Sequence, residues 1–302
     1  MMIIFLYSVM CFIFGTTFLA IKVGIDAGFP PFLSAGIRFL LAGCIIFFYF
    51  YIKNRSILSL LFRKELIVTG FSLTFITFAS LYWAEQYVTS GIAAILSATG
   101  PMLIMLLQSI FLKTRTTKIS MIGIFIGFIG VLFLFLPGLT FEVSTQWFVG
   151  CTIILFGEIG YAAGTIYSTK VIAKFQSQSP IALNAVQMIY GGIFLIIIAL
   201  FANESIPAFS TKGIISIIYL TIAGSMLGHT IYYYLVAKTN SFIPSTWLYV
   251  SPIIALSIGR FFYHEFFHPI MLIGAFFILA SLLLINLPKI TGLARKKVLS
   301  VK

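Results

Sequence analysis

The sequence predicts an all-α polytopic membrane protein of ten transmembrane helices, arranged as two inverted five-helix repeats. Three observations predict it. The 302 residues are 61% hydrophobic and only 9% charged, against about 25% charged in soluble domains, so a bilayer must act as solvent. The apolar residues fall into ten stretches of about 19–25 residues, each long enough to cross roughly 30 Å of hydrocarbon. Finally, the Gly, Pro and polar landmarks of the first five stretches return in the last five.

The stretches run 2–21, 31–52, 65–84, 90–112, 119–137, 147–169, 180–202, 211–237, 243–262 and 269–287. The first lacks a basic leader and a small-residue cleavage site, so it reads as a retained helix. Phe29-Pro30-Pro31 opens the second and Lys53-Asn54-Arg55 closes it. Arg63-Lys64 precedes the third, and Lys113 follows the fourth. Leu136-Pro137-Gly138 ends the fifth, Lys170 follows the sixth, and Ser179-Pro180 opens the seventh. Lys238 follows the eighth, and the polar break FYHEFFHP separates the ninth from the tenth. Such Pro, Gly and polar punctuation marks the turns.

The basic residues set the expected orientation. With the N-terminus taken as cytoplasmic, the cytoplasmic breaks and tail hold fifteen of them, among them Lys53, Arg63, Lys64, Lys113, Arg115, Lys118, Lys170, Lys174, Lys238 and Lys289 to Lys302. The opposite side holds only Lys22, Lys212 and Arg260. This positive-inside bias predicts a multi-pass protein of the plasma or inner membrane with both termini cytoplasmic. The net charge of +12 is therefore a topology signal, and no nucleic-acid partner is expected. Cys11, Cys44 and Cys151 all lie in apolar segments, without disulfide or metal-ligand spacing.

Residues 31–43, PFLSAGIRFLLAG, align with 180–192, PIALNAVQMIYGG, at an offset of 180 − 31 = 149. Gly15-Thr16 meets Gly164-Thr165 at the same offset. At an offset of 151, Tyr82 meets Tyr233, Pro101 meets Pro252 and Gly123 meets Gly274. Five helices are an odd number, so the second copy enters the membrane from the opposite side. Inverted repeats of this kind are a hallmark of transporters with alternating access. The expected units are 1–141, 142–290 and a basic cytoplasmic tail, 291–302.

The landmarks also carry a resemblance. They are Phe14-Gly15-Thr16-Thr17-Phe18, Pro31 through Arg38 to Ala42, Ala98-Thr99-Gly100-Pro101, and Tyr249-Val250-Ser251-Pro252 followed by Glu265 and Gly274. In order and spacing the chain resembles the drug/metabolite transporter superfamily, in its ten-helix EamA-like branch. The resemblance implies two inverted halves around a central cavity, and transport, usually efflux, of small metabolites such as amino acids, with no cofactor. Phe14 departs from it, since members often carry Trp there.

Charge inside hydrocarbon costs on the order of 3 kcal/mol, so polar residues within the stretches are the candidate cavity lining. They are Thr16, Arg38, Tyr82, Ser97, Glu158, Thr165, Ser225, His229 and Tyr233. Arg38 either anchors a substrate carboxylate or Glu158, or snorkels to the outer interface or forms a structural ion pair. Glu158 is the carboxylate nearest a bilayer midplane, which suits a proton carrier or a plain interhelical hydrogen bond. Glu158, Tyr161 or Ala162, Thr165 and Thr169 share one helical face. Imidazole titrates near neutral pH, which makes His229 a second proton-coupling candidate. Ser225, His229, Tyr233 and Val236 form a stripe whose repeat mates are Thr74, Phe78, Tyr82 and Glu85. Trp83 and Trp147 read as interfacial belt residues, and Trp247 as either belt or cavity. The expected partners are a small amphipathic or zwitterionic substrate and the bilayer.

Three alternatives remain at this level. One is a passive uniporter or channel. Another is a zinc peptidase built on His264, Glu265 and His268, which spell H-E-x-x-H; that chemistry needs both His on one helical face and a third ligand. Against it, Pro269 follows directly, and the repeat places the motif at a helix-to-helix turn. The last concerns assembly. Gly123 and Gly127 form a G-x-x-x-G pair that serves either packing within a monomer or a homodimer.

Overall fold

The computed structural model describes residues 2–114, 116–140, 144–205, 210–239 and 242–299. Arg115, Lys302 and the expected boundary at 141–142 lie outside them. Among the described residues the regular structure is entirely helical. The spans are α1 (Met2–Asp26), α2 (Pro31–Lys53), α3 (Lys64–Ala84), α4 (Ser90–Phe111), α5 (Lys118–Thr140), α6 (Thr145–Lys174), α7 (Pro180–Phe201), α8 (Thr211–Val236), α9 (Trp247–Phe262) and α10 (Pro269–Leu299). Nine of these are long and apolar enough to cross a membrane. The exception is α9: the expected 243–262 helix is split at Thr246 into the single turn Phe242–Ser245 and the 16-residue Trp247–Phe262. A short 3-10 helix, Arg55–Phe62, joins α2 to α3.

Proline sets several starts. Pro31 and Pro180 sit in the first turns of α2 and α7, where a missing N–H costs nothing. Pro269 opens α10, which runs on to Leu299, so residues 291–299 of the basic tail continue that helix.

Three spans are irregular. In α3 the segment Gly70–Ile76 is π-helical, and in α8 the segment Leu220–Gly228 is too. In α4 the helix stops at Ser97 and restarts at Gly100. Inside a bilayer such breaks survive only where neighbouring protein satisfies the backbone, and π-bulges gather at functional sites.

The most extensive helix pairs are α5 with α10 and α2 with α7. Both are sealed by backbone contact. A Cβ on Gly192 would lie 2.7 Å from the Leu40 nitrogen, and one on Gly274 would lie 2.7 Å from the Gly130 oxygen. Small residues allow this approach, and close van der Waals packing helps hold helices together in lipid. Gly123 also packs within the chain, against Ile285 of α10. The largest core cluster includes Phe39, Tyr82, Ile92, Trp147 and Ile154, while Phe5, Phe48, Phe125, Phe156 and Phe276 are exposed, as a lipid-facing surface requires. Trp147 is only 7% exposed and meets Phe135 edge-on. It is a core residue, contrary to the belt expectation, because α5 covers it. Cys11 and Cys151 are buried, Cys44 is exposed, and all three are free.

Two glutamates clamp helix starts across the chain. Glu204, after α7, accepts from the Phe32 and Leu33 nitrogens at 3.1 and 2.8 Å. Glu265, between α9 and α10, accepts from the Ser90 and Gly91 nitrogens at 2.8 and 3.2 Å. A carboxylate at a helix N-terminus satisfies orphan donors and opposes the positive end of the helix dipole.

This contact answers the H-E-x-x-H question. The α9 helix ends at Phe262, and residues 263–268 are irregular. His264 has φ 54°. Its ring and that of His268 therefore share no helical face, and Glu265 is committed to α4. Among the described residues no group of three or more His, Cys, Asp or Glu is placed to hold a metal ion.

Candidate functional site in the membrane-spanning core

The polar candidates separate into two groups and one outlier. The first centres on Arg38, which is 2% exposed. Its Nε donates to Ser225 Oγ at 2.8 Å and its Nη1 donates to Tyr82 Oη at 3.2 Å. The guanidinium also lies 4.7 Å from the Phe39 ring centre and 5.4 Å from that of Phe78. A planar fork with donors on several sides suits such a junction. Ser225 is presented by the π-helical segment of α8, and Gly224 beside it leaves room: a Cβ there would lie 2.9 Å from Arg38 Nη2. Arg38 makes no ion pair with Glu158 among the described residues. Arg38 neither snorkels nor forms an ion pair among the described residues; its bonds tie α2 to α3 and α8.

His229 follows directly. Its Nδ1 is 3.2 Å from the Gly224 carbonyl, and its ring meets Phe14 edge-on at 5.5 Å. Phe14 in turn packs on Trp247, with centroids 4.6 Å apart. Trp247 is thus an inward packing partner, and Phe14 occupies the aromatic position that the resemblance gives to Trp.

The second group is built on Glu158 in α6. Its side chain is buried and interacts electrostatically with Ser97, at the end of the first α4 segment. One oxygen, Oε2, lies 2.6 Å from where a Cβ on Gly100 would stand. Any side chain at Gly100 would displace it. The carboxylate therefore sits at the break in α4, beside the N-terminus of Gly100–Phe111, a position that favours an anion. Tyr161, one turn on, also borders Gly100. Tyr232 and Tyr233 of α8 are electrostatic neighbours of Tyr161. Ser97, Tyr161, Thr165 and Tyr233 are only partly buried, while Ala162 is fully buried and Thr169 exposed. Of the expected face, Glu158 and Tyr161 border Gly100, while Thr169 is exposed.

Thr16 stands apart: its Oγ1 lies 2.5 Å from Tyr219 Oη. Tyr219 has no signal in the sequence, because its partner is 203 positions away. Tyr82 and Ser225, from the two expected stripes, do meet, but through Arg38. Thr74 packs instead against Gly191 of α7.

A small polar group held at a helix break, rimmed by tyrosines, can bind a polar ligand and hold a proton. Known proteins bear on what it serves. A solved structure titled only "Crystal structure of protein" shares the fold, with a TM-score of 0.65 at 13% identity, over 94% of this chain and 96% of that one. The "Uncharacterized inner membrane transporter YedA" of Escherichia coli is 29% identical over 82% of this chain and 78% of its own length. An "Uncharacterized transporter" of Buchnera aphidicola is 30% identical over 92% of this chain and 91% of its own. The EamA-like transporter family matches residues 1–136 and 148–287. On that coverage the chain, a polytopic membrane transporter, belongs to the EamA-like transporter family.

Proposed function

We propose that the protein is a secondary transporter that exports a small amphipathic or zwitterionic metabolite by alternating access, with Glu158 carrying the coupling proton. The observation that carries this reading is the Glu158 carboxylate at the break in α4, against Gly100 and Ser97. Discontinuous helices whose half-helix ends face a buried charge are the usual construction of transport sites. Two family-matched stretches of similar length and the cross-half pairs α2–α7 and α5–α10 support two inverted halves, 1–141 and 142–290, around a central cavity. Positive-inside charge supports cytoplasmic termini, and the name of the Escherichia coli relative supports the inner membrane.

The remaining polar candidates take supporting roles. Thr16, Ser97, Thr165 and Tyr233 line the path, Arg38, Tyr82 and Ser225 hold its walls, and His229 is the second proton candidate. The test is uptake into proteoliposomes of a panel of amino acids, polyamines and amphipathic drugs, under two opposed pH gradients. Accumulation against a substrate gradient that collapses with the pH gradient is expected. Equilibration without accumulation would favour a passive uniporter instead. A panel that never moves would sink the transport reading for these substrates.

A further inference from the structure

The corner where α3 turns into α4 holds a second buried carboxylate. Glu85 is 0% exposed, and neither carboxylate oxygen has a hydrogen-bond partner. Thr89 Oγ1 and Ser90 Oγ, in the same turn, are likewise buried and unpartnered. Four orphan oxygens within six residues are costly, since each buried polar atom without a partner costs about 1–3 kcal/mol, and more if charged.

Nearby cations do not relieve it. Lys22 of α1 lies 3.1 Å from Asp26 Oδ1 and donates to the Glu85 backbone oxygen at 2.8 Å, not to its carboxylate. Arg38 of α2 is committed to Ser225 and Tyr82. The other charged neighbours are Asp26 and Glu265, both anionic when ionised, together with the phenol of Tyr82. Glu265 lies close by because it clamps Ser90 and Gly91; a Cβ on Gly259 would lie 3.3 Å from Ser90 Oγ. Burial first of all, with Glu265 and Asp26 adding to it against Lys22 and Arg38, holds the Glu85 carboxyl well above the ordinary carboxylate range. Side-chain oxygens to which no protein cation is bonded suit a small hard cation.

We propose that Glu85 binds a single small monovalent cation, a proton or a sodium ion, at the turn between α3 and α4. The site stands on the chemistry of this corner, while its use in coupling rests on the transport reading above. With the cation bound, Glu85 is neutral beside Glu265 and Asp26, and the corner can stay shut. With the cation gone, three carboxylates repel one another, and the strain falls on the clamp that joins the α9–α10 turn to α4.

Infrared difference spectroscopy on the purified full chain tests this without any transport assay, so its failure and that of the transport reading are separable. Wild type and Glu85→Gln are compared at neutral pH in sodium chloride and in choline chloride. A proton site predicts one protonated-carboxyl C=O band in both salts, lost in the variant. A sodium site predicts that band only in choline. No band lost on substitution in either salt would overturn the proposal. Should Glu85→Gln fail to fold, Glu85→Asp keeps the carboxyl and must shift the band; an unshifted spectrum overturns it equally.

Discussion

The Arg38 guanidinium of α2 donates to Ser225 Oγ, 187 positions away, at 2.8 Å. The bond fixes the π-helical turn of α8 against the first half of the chain, and a second bond to Tyr82 brings in α3. Replacing Arg38 by Lys keeps the charge but not the fork. Arg38→Lys should lose about 1–3 kcal/mol of stability, the usual cost of leaving buried partners unmet. Thermal unfolding in detergent reads this as a lower midpoint, and an unchanged midpoint would show that the fork is not needed.

Glu158 and Gly100 should behave as one unit. Glu158→Gln removes the group that takes and gives the proton, so transport should lose its dependence on the pH gradient while the fold is retained. Gly100→Ala places a methyl carbon 2.6 Å from the present position of Glu158 Oε2. It should produce the same loss of coupling with the carboxyl still present. Proteoliposome flux at two pH gradients measures both. Normal coupling in Gly100→Ala would separate the carboxylate from the helix break.

The two carboxylate clamps should each contribute cap-sized stability. Glu265→Ala frees the Ser90 and Gly91 nitrogens, and Glu204→Ala frees those of Phe32 and Leu33. Each should cost about 0.5–2 kcal/mol, as helix caps do. The two clamps share no partner, so the double variant should lose close to the sum. A double variant no worse than either single one would mean that the clamps do not act independently.

The H-E-x-x-H residues should be dispensable as metal ligands. His264 has a left-handed backbone at φ 54°, which costs a residue with a Cβ roughly 1–2 kcal/mol. His264→Gly should therefore leave stability unchanged or slightly raised. Metal analysis of the purified wild type should find no stoichiometric zinc. One zinc per chain, lost in His264→Gly, would revive the peptidase reading.

The spans were legible because bilayer solvation writes them in composition and length. Proline marked the starts at Pro31, Pro180 and Pro269 to the residue, since a missing N–H costs nothing in a first turn. The break at Ala98-Thr99 and the π-helical turns of α3 and α8 are absent from the expected spans. The π-helical turns depend on what the neighbouring helices can satisfy, while Gly100-Pro101 beside the α4 break is a breaker signal that the expected span 90–112 runs through. Among site residues, chemistry picked out Arg38 and Glu158, because charge in hydrocarbon is rare. It could not pair them: Arg38 goes to Ser225 and Tyr82, Glu158 to Ser97, and each partner lies on another helix. Glu85 was visible only as a stripe position of α3. Its isolation comes from α1, α4 and the α9–α10 turn closing over it. Glu204 gave no signal, because it acts on backbone nitrogens more than 170 positions away.

The glycine seam between α2 and α7 has a consequence for biosynthesis. Gly192 is needed against the backbone of Leu40, yet the two helices begin 180 − 31 = 149 residues apart. At a synthesis rate of about 5–20 residues per second, α2 waits roughly 7–30 s for its partner to leave the ribosome. During that interval its small-residue face is open to lipid and to any other helix that offers a smooth surface. The nascent first half is thus the stage of this protein's life most exposed to mispairing and to membrane proteases, and a late-arriving α7 is what ends it.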